Sequence, residues 1–135
     1  MKVVMIINKD LPIGLIANTA AVLGVSLGKY SEDIVGYETK DADGNMHLGI
    51  TNKSLPILGA NSQQIKDIRE TLFEDRYSDI QVIDFSSVAQ KSLNYDNYTA
   101  ILATMTSSEL EYLGICLSGN IKKINSLTGN LGLLK

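Results

Sequence analysis

The chain has 135 residues, 44% of them hydrophobic and 20% charged, with a formal net charge of −3. That length is enough to bury about two-thirds of an unfolded surface in one core, and the composition is that of a globular domain rather than a disordered one. An acidic balance with scattered lysines argues against broad, salt-driven binding to nucleic acid, and DNA is not expected as a partner.

KVVMII at 2–7 is short, β-branched and continuously apolar, which is the pattern of a strand buried on both faces. Ile16, Ala20, Leu23 and Leu27 then recur at helical spacing through 13–29, with Gly28 placed to end the helix. Small residues surround Asn18 in that helix (Ala17, Thr19, Ala20, Ala21), which leaves room for something to approach closely. The stretch 33–51 offers two short runs about Asp43 and Gly44 and predicts a hairpin, with KDADGN as its turn rather than a calcium loop.

SLPILGA at 54–60 predicts a strand, and Pro56 puts it at an edge or at a bend where no amide donor is needed. Asn61 and Gln64 form a capping-box pair before a helix that carries Ile65, Ile68, Leu72 and Phe73 on one face. IQVIDF at 80–85 alternates as a strand, SSVAQKSL is ambiguous, and Tyr95, Tyr98, Leu102 and Met105 give another helical stripe. EYLGICLSG at 111–119 predicts a central strand, with Leu113, Ile115 and Leu117 on one face and Tyr112, Gly114 and Cys116 on the other. Asn120 caps a last helix, which Gly129 is placed to end in the left-handed conformation.

This alternation predicts one α/β domain over 1–135: a three-layer sandwich with a mixed, mostly parallel central sheet of about four strands, helices on both faces and a small hairpin. The longest apolar runs fall short of the ~20 residues of a membrane-spanning helix, so no membrane partner is expected. The N-terminal run has neither the length nor the cleavage pattern of a signal peptide, and a lone cysteine, Cys116, provides no disulfide framework, so a reducing cytoplasm is the expected compartment. One histidine, His47, and one cysteine are too few for the common zinc sites, and no metal or cofactor is expected.

The two ends carry a resemblance. Asp10, Leu11, Ala20 and Ala21 after the first strand, with Leu113, Gly114, Ile115, Thr128, Gly129 and Leu131 near the end, resemble the type II peptidyl-tRNA hydrolases of archaea and eukaryotes. The middle of the chain is similar to an uncharacterised bacterial family regarded as sharing that fold. The resemblance implies a cleft bordered by Asp10, Asn18 and Asp84, with Asn18 where the hydrolases carry a catalytic lysine. Val22 stands where a glutamine is usual and Val25 at a histidine position; DFSSVAQ matches at Asp84 and Gln90 but has Ala89 in place of a threonine.

Ester cleavage needs a base or activated water and a donor at the oxyanion. Asn18 can donate but cannot act as a base, while Asp84 can. Asn18 and Asp84 are therefore the candidate catalytic pair, and Lys9, Asp10, Asn18 and Gln90 the candidate ligand-binding residues.

Each has a structural alternative. Asn18 can bond locally, Asp84 can cap SSVAQ, and Lys9 with Asp10 can form an exposed ion pair. Lys122 and Lys123, at the start of the last helix, are read as a solvated face rather than an anion site. The expectation is a binding protein for a small molecule or peptide end that lacks the hydrolase set; a divergent hydrolase of peptidyl-tRNA or a related acylated nucleotide is the alternative, with tRNA the second choice of partner. A homodimer is expected from the resemblance and from Ile50, Leu131, Leu133 and Leu134, which need covering.

Overall fold

The computed structural model describes all residues, 1–135. Strand β1 (Lys2–Asn8) is followed by helix α1 (Ile13–Tyr30), a hairpin of β2 (Thr39–Lys40) and β3 (Met46–His47), strand β4 (Ile57–Ala60) and helix α2 (Ser62–Thr71). Then come β5 (Gln81–Ser86), α3 (Ser87–Lys91), α4 (Tyr95–Leu102), β6 (Tyr112–Gly119) and α5 (Ile121–Thr128). The main sheet has the order β4-β1-β6-β5. β1 is parallel to β4 and antiparallel to β6, which is antiparallel to β5, so β1, β4 and β5 share one direction and β6 opposes them. This is the expected mixed sheet of four strands, and the Pro56-led strand is indeed at its edge.

Two apolar layers enclose the sheet. On one face α1 contributes Leu23 and Leu27, packed with Val3, Met5, Phe85 and Cys116. On the other, α2 and α5 contribute Ile65 and Ile124 against Val4, Ile6, Ile115 and Leu117. Each fully buried Leu or Ile contributes roughly 1.5–3 kcal/mol of transfer free energy.

The strand parity expected for β6 is overturned by a bulge. Phe85 pairs with Gly114 and the next residue, Ser86, with Tyr112, so Leu113 is the extra residue. A bulge shifts side-chain alternation by one. Tyr112 therefore joins Ile115 and Leu117 in one layer, while Leu113 goes with Cys116 in the other. Directly beside the bulge, a Cβ at Gly114 would lie 2.7 Å from Thr19 Cγ2, so a glycine is what lets α1 approach β6 this closely. Thr19 is fully buried there, its hydroxyl donating to Leu15 O at 2.7 Å.

Other expectations are refined. α1 runs past Gly28 to Tyr30. At 18 residues it is long and apolar enough, by length and composition, to cross a membrane, a feature that uninterrupted apolar runs did not reveal, but in this fold it packs against the sheet through Thr19, Leu23 and Leu27. The Asn61–Gln64 capping box is present in both directions, at 2.8 and 2.9 Å. Phe73 lies beyond the end of α2 and is half exposed instead of continuing its apolar face.

Gly129 is right-handed (φ −63°), not left-handed, because the chain continues through it into a further turn where Leu131 N–H donates to Thr128 O. In the hairpin, Gly44 has the positive φ its turn requires (+84°). Asp41 ties that turn together, accepting from the Asp43 and Asn45 amides and pairing with exposed His47 at 2.7 Å.

Candidate functional site

β5 is an edge strand, and a groove of about 320 Å³ opens along it. Val22 and Ser26 of α1 form one wall, Asp84 and Phe85 of β5 the floor, and Ala89, Ser92 and the start of α4 the far side. Val22 and Ser26 are four residues apart and so share one side of their helix. The far side exists because two short helices are capped in succession. Ser86 Oγ accepts from the Ala89 amide at the start of α3, and Asn94 Oδ1 accepts from the Asn97 amide at the start of α4. The cap of SSVAQ is thus Ser86, not Asp84.

Asp84 pairs across to Ile115 and projects to the α2 side of the sheet. There Arg69 Nε donates to Asp84 Oδ2 at 2.9 Å, with both side chains largely buried (13% and 26% exposed). The Arg69 guanidinium also lies 3.9 Å from the centroid of the Phe73 ring, one helical turn on. That fixes the arginine from two directions, and Arg69 fixes the carboxylate.

Two tyrosines close the groove. The rings of Tyr95 and Tyr98 meet edge to face at 5.5 Å and 69°. The Tyr98 phenol is raised above its ordinary value, first by burial, then by the charge of Asp84, then by Tyr95. Behind it, Tyr112 is 1% exposed and its hydroxyl has no hydrogen-bond partner in the chain; the Glu70 Oε1 atom on α2 is likewise buried and unpartnered. Burial, and then the Asp84 charge, push the Tyr112 phenol up to about 12, against an opposing pull from Arg69. Unpaired buried polar atoms are uncommon, and phenols perturbed by a specific charge in a cleft mark candidate functional regions.

The sequence-derived site residues are only partly brought together. Asp84 lines the groove, and Gln90 is exposed on α3 next to Ala89, which also lines it. Asn18 is exposed on α1, one turn before Val22 and further toward solvent, outside the groove lining. Lys9 and Asp10 follow β1 and do not reach the groove. Lys9 borders a different cleft of about 340 Å³ with Gly59 and Leu134, at the opposite edge of the sheet. No single cleft therefore joins Asp10, Asn18 and Asp84: Asn18 lies a turn beyond the α1 wall of the groove, and β6 stands between β1, which Asp10 follows, and β5.

Lys123 is engaged structurally, donating to Asp79 Oδ1 and Arg76 O at 2.8 Å each. A third cleft, about 290 Å³, lies at the other end of β1 between Lys2, Lys53 and Ile121. Size does not separate these clefts. The β5 groove differs in joining a half-buried carboxylate to an aromatic pair, the combination expected of a binding site.

Sequence reasoning missed Arg69, Glu70, Tyr95, Tyr98 and Tyr112 as members of the site. Two spacings could have signalled it: Arg69 four residues before Phe73, and Tyr95 three before Tyr98 on one side of α4.

Fold and groove together define a small α/β protein with a groove along an open sheet edge. The profile of the family described as Protein of unknown function (DUF2000) matches residues 1–135, and the chain belongs to that family. The structure is similar to that of the protein of unknown function Atu0240 from Agrobacterium tumefaciens str. C58, with a TM-score of 0.87 at 16% identity over 98% of this chain and 96% of that one. At that identity the likeness establishes a shared fold. No curated protein matches the chain.

Proposed function

We propose that this protein binds a small molecule or peptide end in the β5-edge groove, on a fold like that of the type II peptidyl-tRNA hydrolases but without their catalytic set. The observation that carries this reading is the Asp84–Arg69 pair at 2.9 Å on the floor of the groove. A carboxylate held in place by a guanidinium serves well as a fixed anchor for a ligand donor. Asn18, Val22, Val25 and Ala89 stand where the hydrolases carry polar groups, so Asp84 has no neighbouring base or cation of that kind to work with.

Peptidyl-tRNA cleavage by the purified chain tests the proposal. Binding without turnover is the expected result. Turnover well above background that falls in Asn18→Ala or Asp84→Asn would replace this reading with that of a divergent hydrolase.

The proposal extends to assembly and compartment. Ile50 and Leu133 are 80% and 64% exposed, and with Tyr37 and Leu48 on the hairpin they leave apolar surface that a second copy would cover. An elution volume matching a dimer at micromolar concentration is expected; a monomer would contradict it. A single, buried thiol, Cys116, fits a reducing cytoplasm.

A further inference from the structure

We propose that the β5-edge groove takes an organic ammonium, a positively charged nitrogen on a small aromatic or apolar body, with Asp84 as its counter-ion. This rests on the reading of that groove as the ligand site and adds the chemical class of the ligand.

Charge points this way first. Asp84 is the only charged residue in the lining, so no lysine or arginine is present to receive an anion. Arg69 approaches from α2 and bonds Oδ2, while Oδ1 takes no hydrogen bond from the chain. Glu70, beside Arg69, carries a second carboxylate whose Oε1 is also unpartnered. Arg69 pairs with Asp84 alone, so the Glu70 carboxylate, whose charge reaches Tyr112, leaves a negative excess behind the groove. The Tyr112 hydroxyl bonds to neither carboxylate. The free Asp84 Oδ1 at the groove favours a ligand that brings a donor of its own.

The aromatic pair adds to this. A cation within ~6 Å of a tyrosine centroid is attracted by the ring face, and Tyr95 and Tyr98, crossed at 69°, offer a corner with two differently oriented rings. The chain already uses the same attraction internally, with Arg69 over Phe73 at 3.9 Å and Arg76 over Tyr77 at 4.8 Å.

One feature favours an anion, namely the first turn of α4 at the rim. Its donors are partly spent: the Asn97 amide goes to Asn94 Oδ1 at 2.8 Å, and the Leu93 amide to Asn97 Oδ1 at 3.2 Å. A volume of about 320 Å³ is at the small end of ligand sites, which suits a compact amine or the terminal residue of a peptide.

The test is an NMR titration of the full chain with benzylammonium, neutral benzyl alcohol and benzoate, alongside a short peptide with a free amino terminus and its N-acetylated form. Saturable shifts at Ser26, Asp84 and Tyr98 are expected with benzylammonium, at an affinity at least about tenfold above that for benzyl alcohol. The free-amine peptide binding in preference to its acetylated form would also support the proposal and name a peptide end as the source of the cation.

Asp84→Asn, which can still accept from Arg69, should weaken benzylammonium binding about tenfold or more. Tyr95→Ala, at a ring 78% exposed and outside the buried core, should weaken it roughly two- to fivefold; if Asp84→Asn disturbs the spectrum of the free protein, this variant decides. Benzoate or benzyl alcohol binding the groove as tightly as benzylammonium would overturn the ammonium assignment and leave the groove standing. Shifts away from the groove with every probe would overturn the groove reading itself.

Discussion

The two edges of the sheet are treated in opposite ways. At the β4 edge the C-terminal segment folds back as a short antiparallel cover: the Gly59 amide donates to Gly132 O at 3.0 Å and the Leu134 amide to Ile57 O at 2.9 Å, with Leu58 bridged to Leu133. At the β5 edge no strand is added, and the chain instead arranges two capped helices and α1 around the half-buried Asp84. An unpaired edge invites unwanted strand pairing and is normally blunted. Sealing one edge while building a largely apolar groove with a carboxylate floor on the other is the pattern expected where the open edge has a use.

That contrast can be broken most severely from between the edges. Leu117 is fully buried in β6, which separates β1 from β5, and Leu117→Ala should cost about 2–5 kcal/mol in urea unfolding. A smaller and one-sided loss is expected for Arg69→Ala, about 1–3 kcal/mol, because it strands the Asp84 carboxylate and removes the stack on Phe73. Hydrogen exchange should then quicken along β5 and stay unchanged at Gly59. The converse substitution, Leu134→Ala, should cost about 1 kcal/mol for a half-buried leucine and quicken exchange at Gly59 alone.

The smallest effect is predicted for Tyr112→Phe, within about 0.5 kcal/mol at neutral pH, since it removes a hydroxyl that has no partner. It should show instead in alkali. The Tyr112 pKa is raised on folding, so the stability linked to its neutral form is complete below pH about 10 and lost as pH rises through about 12. Stability measured across that window should fall less steeply in Tyr112→Phe than in the unsubstituted chain.

The regular elements were legible where local chemistry decides them. β1 announces itself by an uninterrupted β-branched run, and α2 by the Asn61–Gln64 reciprocal cap, because both depend on neighbours in sequence. The β6 bulge was not legible. It is set by how Ser86 meets Tyr112 across two strands, and no spacing within β6 reveals that pairing.

The site divided along the same line. Asp84 could be named as a charge in an apolar strand. Its partner Arg69, 15 residues away, and the crossing of Tyr95 and Tyr98 over it depend on tertiary packing. The stripe of Tyr95, Tyr98, Leu102 and Met105 predicted a helix, in which Tyr98 and Leu102 are half-buried while Tyr95 faces out, and Met105, half-buried, lies just past its end. The resemblance implied a cleft that brings Asp10 near Asp84, but β6 intervenes between β1 and β5.

The claim that the open edge is the ligand site can be tested without assuming any ligand class, by titrating a mixed set of small fragments into the labelled chain and mapping amide shifts. The account predicts that the shifts gather at residues 22–26, 84–85 and 89–98 and vanish in a variant with the groove filled by Ser26→Trp. Shifts gathered at Lys9, Gly59 and Leu134, with the β5 edge silent, would contradict it.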